Sequence, residues 1–314
     1  MYDSTRPWLA TRSDFLPALA MPHVPKSSAG YFIKPGMDLI DLFIGSEGTL
    51  GVITAATVKL RRLPAKRVFG VYSFASLSDG IEAGRRIMVS GLRPSVMRLY
   101  DRHAASHSLS RAVEVPLPDP TVVLMFDGEY PELVELEAQT AFAICAAHNG
   151  TQLPASIAET WWDRRYIFYY PPYAPELPSI WGTVDVVADF EHIEAVYEAV
   201  TQAVRAAVPA EWDLQLTTHF SHWYEWGSMI YARMKIPTGP ADLREAKALH
   251  DAVFKAGTEA ALAAGAVMND HHGVGLRLEP YMRAQYGDGM EALARIKRAL
   301  DPNNILCPGK LGFE

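Results

Sequence analysis

The chain has 314 residues, 49% hydrophobic and 21% charged, a balance that excludes a disordered chain and leaves room for one large or two ordinary domains. Its formal net charge of -7, with basic residues bunched only at 59–62 and 66–67, argues against nucleic acid as a partner. No apolar run approaches the eighteen or so residues of a spanning helix, residues 1–20 carry Arg6, Arg12 and Asp14 where a secretory signal would be apolar, and two distant cysteines suit a reducing compartment, so a cytoplasmic protein without an integral membrane segment is expected.

In chain order, residues 1–28 read as a loop or a helical remnant. The next informative stretch is Gly45-Ser46-Glu47-Gly48-Thr49-Leu50-Gly51-Val52-Ile53-Thr54, with three glycines in seven residues before a β-branched run. Glycines so spaced permit positive φ and let main-chain N–H groups approach a ligand, while Val52, Ile53, Thr54, Thr57 and Val58 read as strand. The spacing matches neither Gly-x-Gly-x-x-Gly nor a Walker loop, so a structural turn before a strand is the competing reading. Pro64 and the charges around it mark a boundary, which divides the chain into residues 1–64 and 65–314.

Beyond it, 68–74 alternates as a strand, and 76–91 reads as a helix opened by Ser76 or Ser78 and closed by Gly91. Residues 95–100 form a short strand, 102–113 a weak helix, 121–126 a β-branched strand and 131–149 a helix with Leu133, Leu136, Ala141 and Ile144 as its stripe. Cys145, inside that helix, reads as a small buried hydrophobe. An aromatic helix over 155–170 stops at Pro171-Pro172. Then come a strand over 181–188, a helix over 190–207, neighbouring antiparallel strands over 214–220 and 229–236, helices over 241–264 and 290–300, and an extended tail. Alternating strands and helices with hairpin-like neighbours predict an α+β fold, an antiparallel sheet covered on one face by helices.

Chemistry is expected in five places. His271-His272-Gly273-Val274-Gly275 sets two imidazoles on a Gly-rich turn after a long helix, where they suit proton transfer near neutral pH or a structural hydrogen-bonding role. Tyr231 lies on the second of the paired strands, as an acid or base or as a packing aromatic. Arg98 stands on an apolar strand and needs a partner there, either a ligand or one of Asp101, Glu129 and Asp185. The aromatic residues of 161–173, with Arg164 and Arg165, line a pocket or pack a core. His219 and His222, three residues apart, would be the start of a metal site.

The segments Ala29-Gly30-Tyr31, Asp38-Leu39-Ile40-Asp41-Leu42-Phe43-Ile44, 45–60, His271-His272-Gly273-Val274-Gly275, Asp301-Pro302-Asn303-Asn304-Ile305 and Pro308-Gly309-Lys310 together resemble the FAD-linked oxidases with a p-cresol-methylhydroxylase-type flavin domain. That family includes D-lactate and glycolate oxidising enzymes and alkyldihydroxyacetonephosphate synthase. The resemblance runs from about residue 29 to the end and implies a duplicated ferredoxin-like substrate domain over 65–314, preceded by the end of an FAD domain.

It implies FAD as cofactor, touched by the main chain of Gly45, Ser46, Glu47, Gly48, Thr49, Leu50, Gly51, Val52 and Ile53. It implies catalytic roles for Tyr231, His271, His272 and Arg98, which are expected to converge on one substrate hydroxyl. The synthase has three histidines where this chain has Asp270-His271-His272, its substrate-binding arginine has no clear counterpart, and Cys307 replaces the usual Asn. Metal-dependent relatives have His-x6-His and a Glu before His-Gly. Trp226, Met229 and His271 stand in those places, so no metal is expected.

The expected activity is FAD-dependent oxidation of a small-molecule 2-hydroxy acid or related alcohol. The alternatives are a synthase-like transferase, or a flavin-free subunit that needs a partner chain. The larger part of the flavin domain, with its pyrophosphate loop, has no counterpart before residue 29, so the isolated chain is expected to bind FAD weakly and to need a second polypeptide.

Overall fold

Strand alternation such as Val68-Phe69-Gly70-Val71-Tyr72 requires a ladder partner, and the strand β1, Lys66–Ser73, has one on each side. The computed structural model describes residues 28–32, 38–166 and 176–313 and divides into two compact units. One is Leu60–Ala266. The other combines the described residues of Met1–Lys59 and Val267–Glu314.

Unit Leu60–Ala266 follows β1 with α1 (Leu77–Val89), β2 (Val96–Tyr100), β3 (Thr121–Gly128), α2 (Pro131–Ala147), β4 (Thr151–Leu153) and α3 (Ser156–Arg164). Next come β5 (Ile180–Asp189), α4 (Ile193–Ala207), β6 (Gln215–Phe220), β7 (Gly227–Ile236) and α5 (Leu243–Ala263). The strands lie in the order β4-β1-β3-β2-β6-β7-β5, each neighbouring pair antiparallel. The fold is α+β, with a β-α-β-β-α-β first half in the spatial order of a ferredoxin-like unit and a second half that repeats it through α5. Among the described residues, Leu99↔Phe220 and Tyr100↔His219 pair across the seam between the halves.

Pairing parity assigns the two faces. Leu99, Phe220, Ala232 and Val184 share one of them, and it is roofed by helices: Phe142 of α2 lies against Gly70, Leu99 packs under Gly80 of α1, and Val184 and Val204 meet Gly257 of α5. The helices start as their sequences dictate. Ser76 caps α1 by accepting the Asp79 N–H, Pro131 opens α2, and the Asp242 carboxylate accepts the N–H groups of Arg244 and Glu245 at the start of α5. The opposite face is covered over its first half by Leu109, Ala112, Ile157 and Trp161, packed on Val71 and Val123.

Four expectations change. The stripe of α2 is Val134, Ala138, Ala141, Phe142 and Cys145, whereas Leu133 and Leu136 are exposed, because small side chains are what let this helix lie close on the sheet. Residues 102–113 are not one helix but two short pieces joined by a π-helical turn, Ala105–Leu109, where the Ser110 hydroxyl donates to the Ala105 carbonyl at 2.8 Å and accepts the Leu117 N–H at 2.9 Å. Residues 51–64 form no strand. A β-branched run without a neighbour to share its ladder stays irregular, and Val52, Ile53, Val58, Leu60 and Leu63 are exposed. The tail turns instead of extending and ends in a 3-10 turn, Lys310–Gly312. The expected element at 1–28 lies outside the described residues, except for residue 28, as do 167–170 of the aromatic helix. None of the described helices is long and apolar enough to cross a membrane.

In the other unit, α6 (Gly289–Leu300) carries a buried clip. Lys297 Nζ donates to the carbonyls of Thr49 at 2.9 Å and Leu306 at 2.8 Å and pairs with Asp301, so its three protons are used. Asp301 in turn accepts the Leu306 and Ile305 N–H groups, and Lys297 holds its carboxyl below the ordinary range.

Candidate functional site

The second half of the sheet face opposite α1, α2, α4 and α5 is polar. Alternation in β6 and β7 sets Thr217 and His219 beside Tyr231 and Arg233 on it, and the register Tyr100↔His219↔Tyr231↔Asp185 lays one row straight across four strands. Arg98, two residues before Tyr100, shares this face. Its Nη2 lies 2.6 Å from Nε2 of His219, and the His219 ring stacks on Tyr231 with centroids 4.6 Å apart and planes 22° from parallel. On the other side, the Arg98 guanidinium sits 5.5 Å from the Tyr100 ring centre, and Tyr100 Oη accepts from Trp161 Nε1 at 2.8 Å.

Arg98 Nε is buried and has no hydrogen-bond partner among the described residues. Among the described residues, Arg98 hydrogen-bonds to His219 and to none of the three carboxylates considered from sequence. Asp101 is committed elsewhere, accepting from the N–H groups of Ala104 and Thr218 and from the Tyr197 hydroxyl, and burial pushes its carboxyl up against those hydrogen bonds.

The other unit joins two motifs that lie far apart in sequence. Glu47, in the left-handed region at φ 55°, accepts the Val274 N–H at Oε1 (2.6 Å) and the Gly275 N–H at Oε2 (2.7 Å). Asn269 accepts the Gly273 N–H at 2.8 Å and donates to the Ser28 carbonyl at 2.9 Å. The turn that carries His271 and His272 is thus held by three consecutive N–H groups. The two rings lie 4.3 Å apart, and His271 Nδ1 is 3.0 Å from the carboxylate of buried Asp270. Donation from Nδ1 to that carboxylate orients the His271 ring.

The cofactor stretch is a turn anchored from beneath. Ser46, Thr49 and Leu50 are buried, and Gly45, Val52 and Ile53 are exposed. Thr49 Oγ1 donates to the Ser46 carbonyl and lies 2.7 Å from Tyr31 Oη, a phenol that burial pushes up to about 12. Gly45 has φ 81°, and a Cβ there would meet nothing within 4 Å, so the main chain is open to a flat ligand. A Cβ at Gly48, by contrast, would lie 3.1 Å from Cys307 Sγ, and one at Gly51 would lie 3.4 Å from the Phe43 ring. The Glu47 side chain is already spent on Val274 and Gly275.

Arg98 and Tyr231 are therefore brought together, through His219, in one unit, and His271 and His272 stand side by side in the other. Sequence reasoning considered His219 only as a metal ligand. The period-2 alternation of polar residues in β6 and β7 would have placed it beside Tyr231.

Residues 63–311 match the family of FAD linked oxidases, C-terminal domain. The chain belongs to this family. Among curated relatives, it is 29% identical over 293 residues to a mitochondrial D-lactate dehydrogenase [cytochrome] of Arabidopsis thaliana, with 91% of this chain and 48% of the relative covered. It is 26% identical over 304 residues to the alkyldihydroxyacetonephosphate synthase of Trypanosoma brucei brucei, with 88% and 48% covered. A solved structure of an alkyldihydroxyacetonephosphate synthase shares the fold at TM-score 0.65 and 17% identity, covering 88% of this chain and 51% of that one. The chain spans about half the length of these relatives.

Proposed function

We propose that this chain is the substrate-handling part of a FAD-dependent oxidoreductase acting on a small 2-hydroxy acid of the D-lactate or glycolate type. The observation that carries this reading is the buried, unpartnered Nε of Arg98 on the polar sheet face beside Tyr231. A half-buried arginine with Nη2 on His219 and Nε unpaired suits a carboxylate, because its charge is permanent and its donors are fixed in direction.

Arg98 holds the substrate carboxylate. Tyr231 donates a hydrogen bond to a substrate oxygen. Oxidation of the alcohol removes a hydride from carbon and a proton from the hydroxyl, and His271, oriented by Asp270 and beside His272, is a group suited to proton transfer. When bound along residues 45–53, FAD supplies the hydride acceptor. We further propose that a second polypeptide completes the flavin site, and that the protein works in the cytoplasm, as two free cysteines suit.

A second reading, a synthase-like exchange of acyl for alkyl on glycerone phosphate, draws on the Trypanosoma relative, which matches over as much of the chain. Asp270, in place of a histidine, counts against it.

The test adds FAD under anaerobic conditions to the purified chain, alone and together with the polypeptide that completes its flavin site, and then D-lactate or glycolate. Loss of the visible flavin band, with a raised half-saturation in Arg98→Met, is expected. A flavin band that appears on binding yet survives every 2-hydroxy acid offered would overturn the reading. FAD that binds only after a second polypeptide is added would identify a subunit.

A further inference from the structure

We propose that His219 is a positioning residue that ties Arg98 to Tyr231, an assignment that rests on reading those two residues as substrate-holding groups. A guanidinium has five N–H donors and no lone pair, so the 2.6 Å contact between Arg98 Nη2 and His219 Nε2 has one polarity: Arg98 donates and Nε2 accepts. The imidazole proton must then be on Nδ1. Arg98 in this way fixes both the tautomer and the plane of the ring.

The ring plane is then passed on. His219 and Tyr231 are directly opposed in the β6–β7 ladder, where cross-strand side chains stand about 5 Å apart. Their rings lie 4.6 Å apart and 22° from parallel, so the direction of the Tyr231 phenol follows the imidazole plane. Tyr100 borders the same ring from the far side at 5.9 Å and is itself pinned by Trp161. If His219 served packing alone, an apolar ring would do as well, and Arg98 would have no effect on Tyr231. A carboxylate drawn to Arg98 Nε, by contrast, would be felt at the phenol through one hydrogen bond and one stack.

Ring nitrogen NMR of the full chain, with 15N-labelled histidine, reads the tautomer without turnover. The His219 signals, assigned by their loss in His219→Gln, should show an unprotonated Nε2 and a protonated Nδ1. A protonated Nε2 in the native protein overturns the proposal. With 13C-labelled tyrosine, Arg98→Lys should displace the Tyr231 ring signal in the native background and leave it unmoved in His219→Leu. Equal displacement in both backgrounds would sink the coupling. Because both readouts use the resting chain, they decide the role of His219 even if no 2-hydroxy acid is oxidised, and a failed oxidation with the expected spectra would count only against the substrate reading.

Discussion

Glu47 and Gly275 are joined by a 2.7 Å hydrogen bond from the Gly275 N–H to Oε2, and the same carboxylate takes the Val274 N–H at Oε1. One side chain in the Gly-Ser-Glu-Gly turn therefore fixes the turn that bears the paired imidazoles. Gly273 must stay a glycine for two reasons: its φ is 86°, and a Cβ there would come within 3.1 Å of Glu47 Oε1.

Glu47→Gln should loosen that turn, since an amide presents its NH2 to one of the two N–H donors. A loss of about 1–2 kcal/mol is expected, the scale of a hydrogen bond to a charged group. The urea midpoint measures it. Amide exchange at Val274 and Gly275 should quicken while that of β3 stays unchanged, and an unaltered rate at both glycine-turn amides would show the clasp to be idle.

Asp270→Asn removes the carboxylate that orients His271. An asparagine can turn its NH2 toward Nδ1, which moves the imidazole proton to Nε2 and changes the tautomer that His271 offers for proton transfer. A fall in kcat of at least about tenfold is expected, in line with the usual contribution of a positioned base. Measured against D-lactate, the change should fall on kcat with little effect on KM.

Gly84 sits inside α1, where replacement by alanine ordinarily stabilises a helix by about 1 kcal/mol. Here the sign should reverse. A Cβ at Gly84 would come within 2.5 Å of the Trp223 ring, which is itself held among Phe190 and Phe220. Overpacking of this kind costs about 1–3 kcal/mol. Thermal unfolding of Gly84→Ala should show a lower Tm, and a higher one would mean that Trp223 yields freely.

Cys145 is buried and Cys307 exposed, so an aromatic disulfide reagent should titrate one thiol in the native protein and two in denaturant. Burial pushes the Cys145 thiol from 9.0 up to about 12. A pKa raised in the folded state contributes stability that is complete below the unfolded value and is lost above it. The urea midpoint should accordingly fall as pH rises from 9 toward 12, and Cys145→Ala should flatten part of that slope.

Much of the sheet was legible because the second half of this chain alternates cleanly. Ile230, Ala232, Met234 and Ile236 face the helices, and Tyr231 and Arg233 face away from them. The pairing of β6 with β7 follows from that pattern. The α2 stripe was less legible, because exposed leucines outweighed alanines on any hydropathy count, although alanines set the approach to the sheet. The π-helical turn accompanies a side-chain hydrogen bond from Ser110 to the Ala105 carbonyl, which no periodicity reveals. The candidates His271, His272, Arg98 and Tyr231 came from residue types together with the family resemblance. The partner of Arg98 did not emerge, because a carboxylate was sought where an imidazole acceptor stands, and Glu47 was credited with its backbone alone.

The irregular run 51–64 bears on how the protein behaves in a tube. Val52, Ile53, Val58, Leu60 and Leu63 are each more than 65% exposed, in a segment whose residue types favour β structure. Such a segment is an open seam that a second molecule can zip onto, backbone to backbone. Light scattering should rise with concentration for the purified chain, and Ile53→Lys or Leu60→Lys should suppress that rise without moving the Tm. The charges already at Lys59, Arg61 and Arg62 then act as gatekeepers, slowing self-association at the place where the chain is most adhesive.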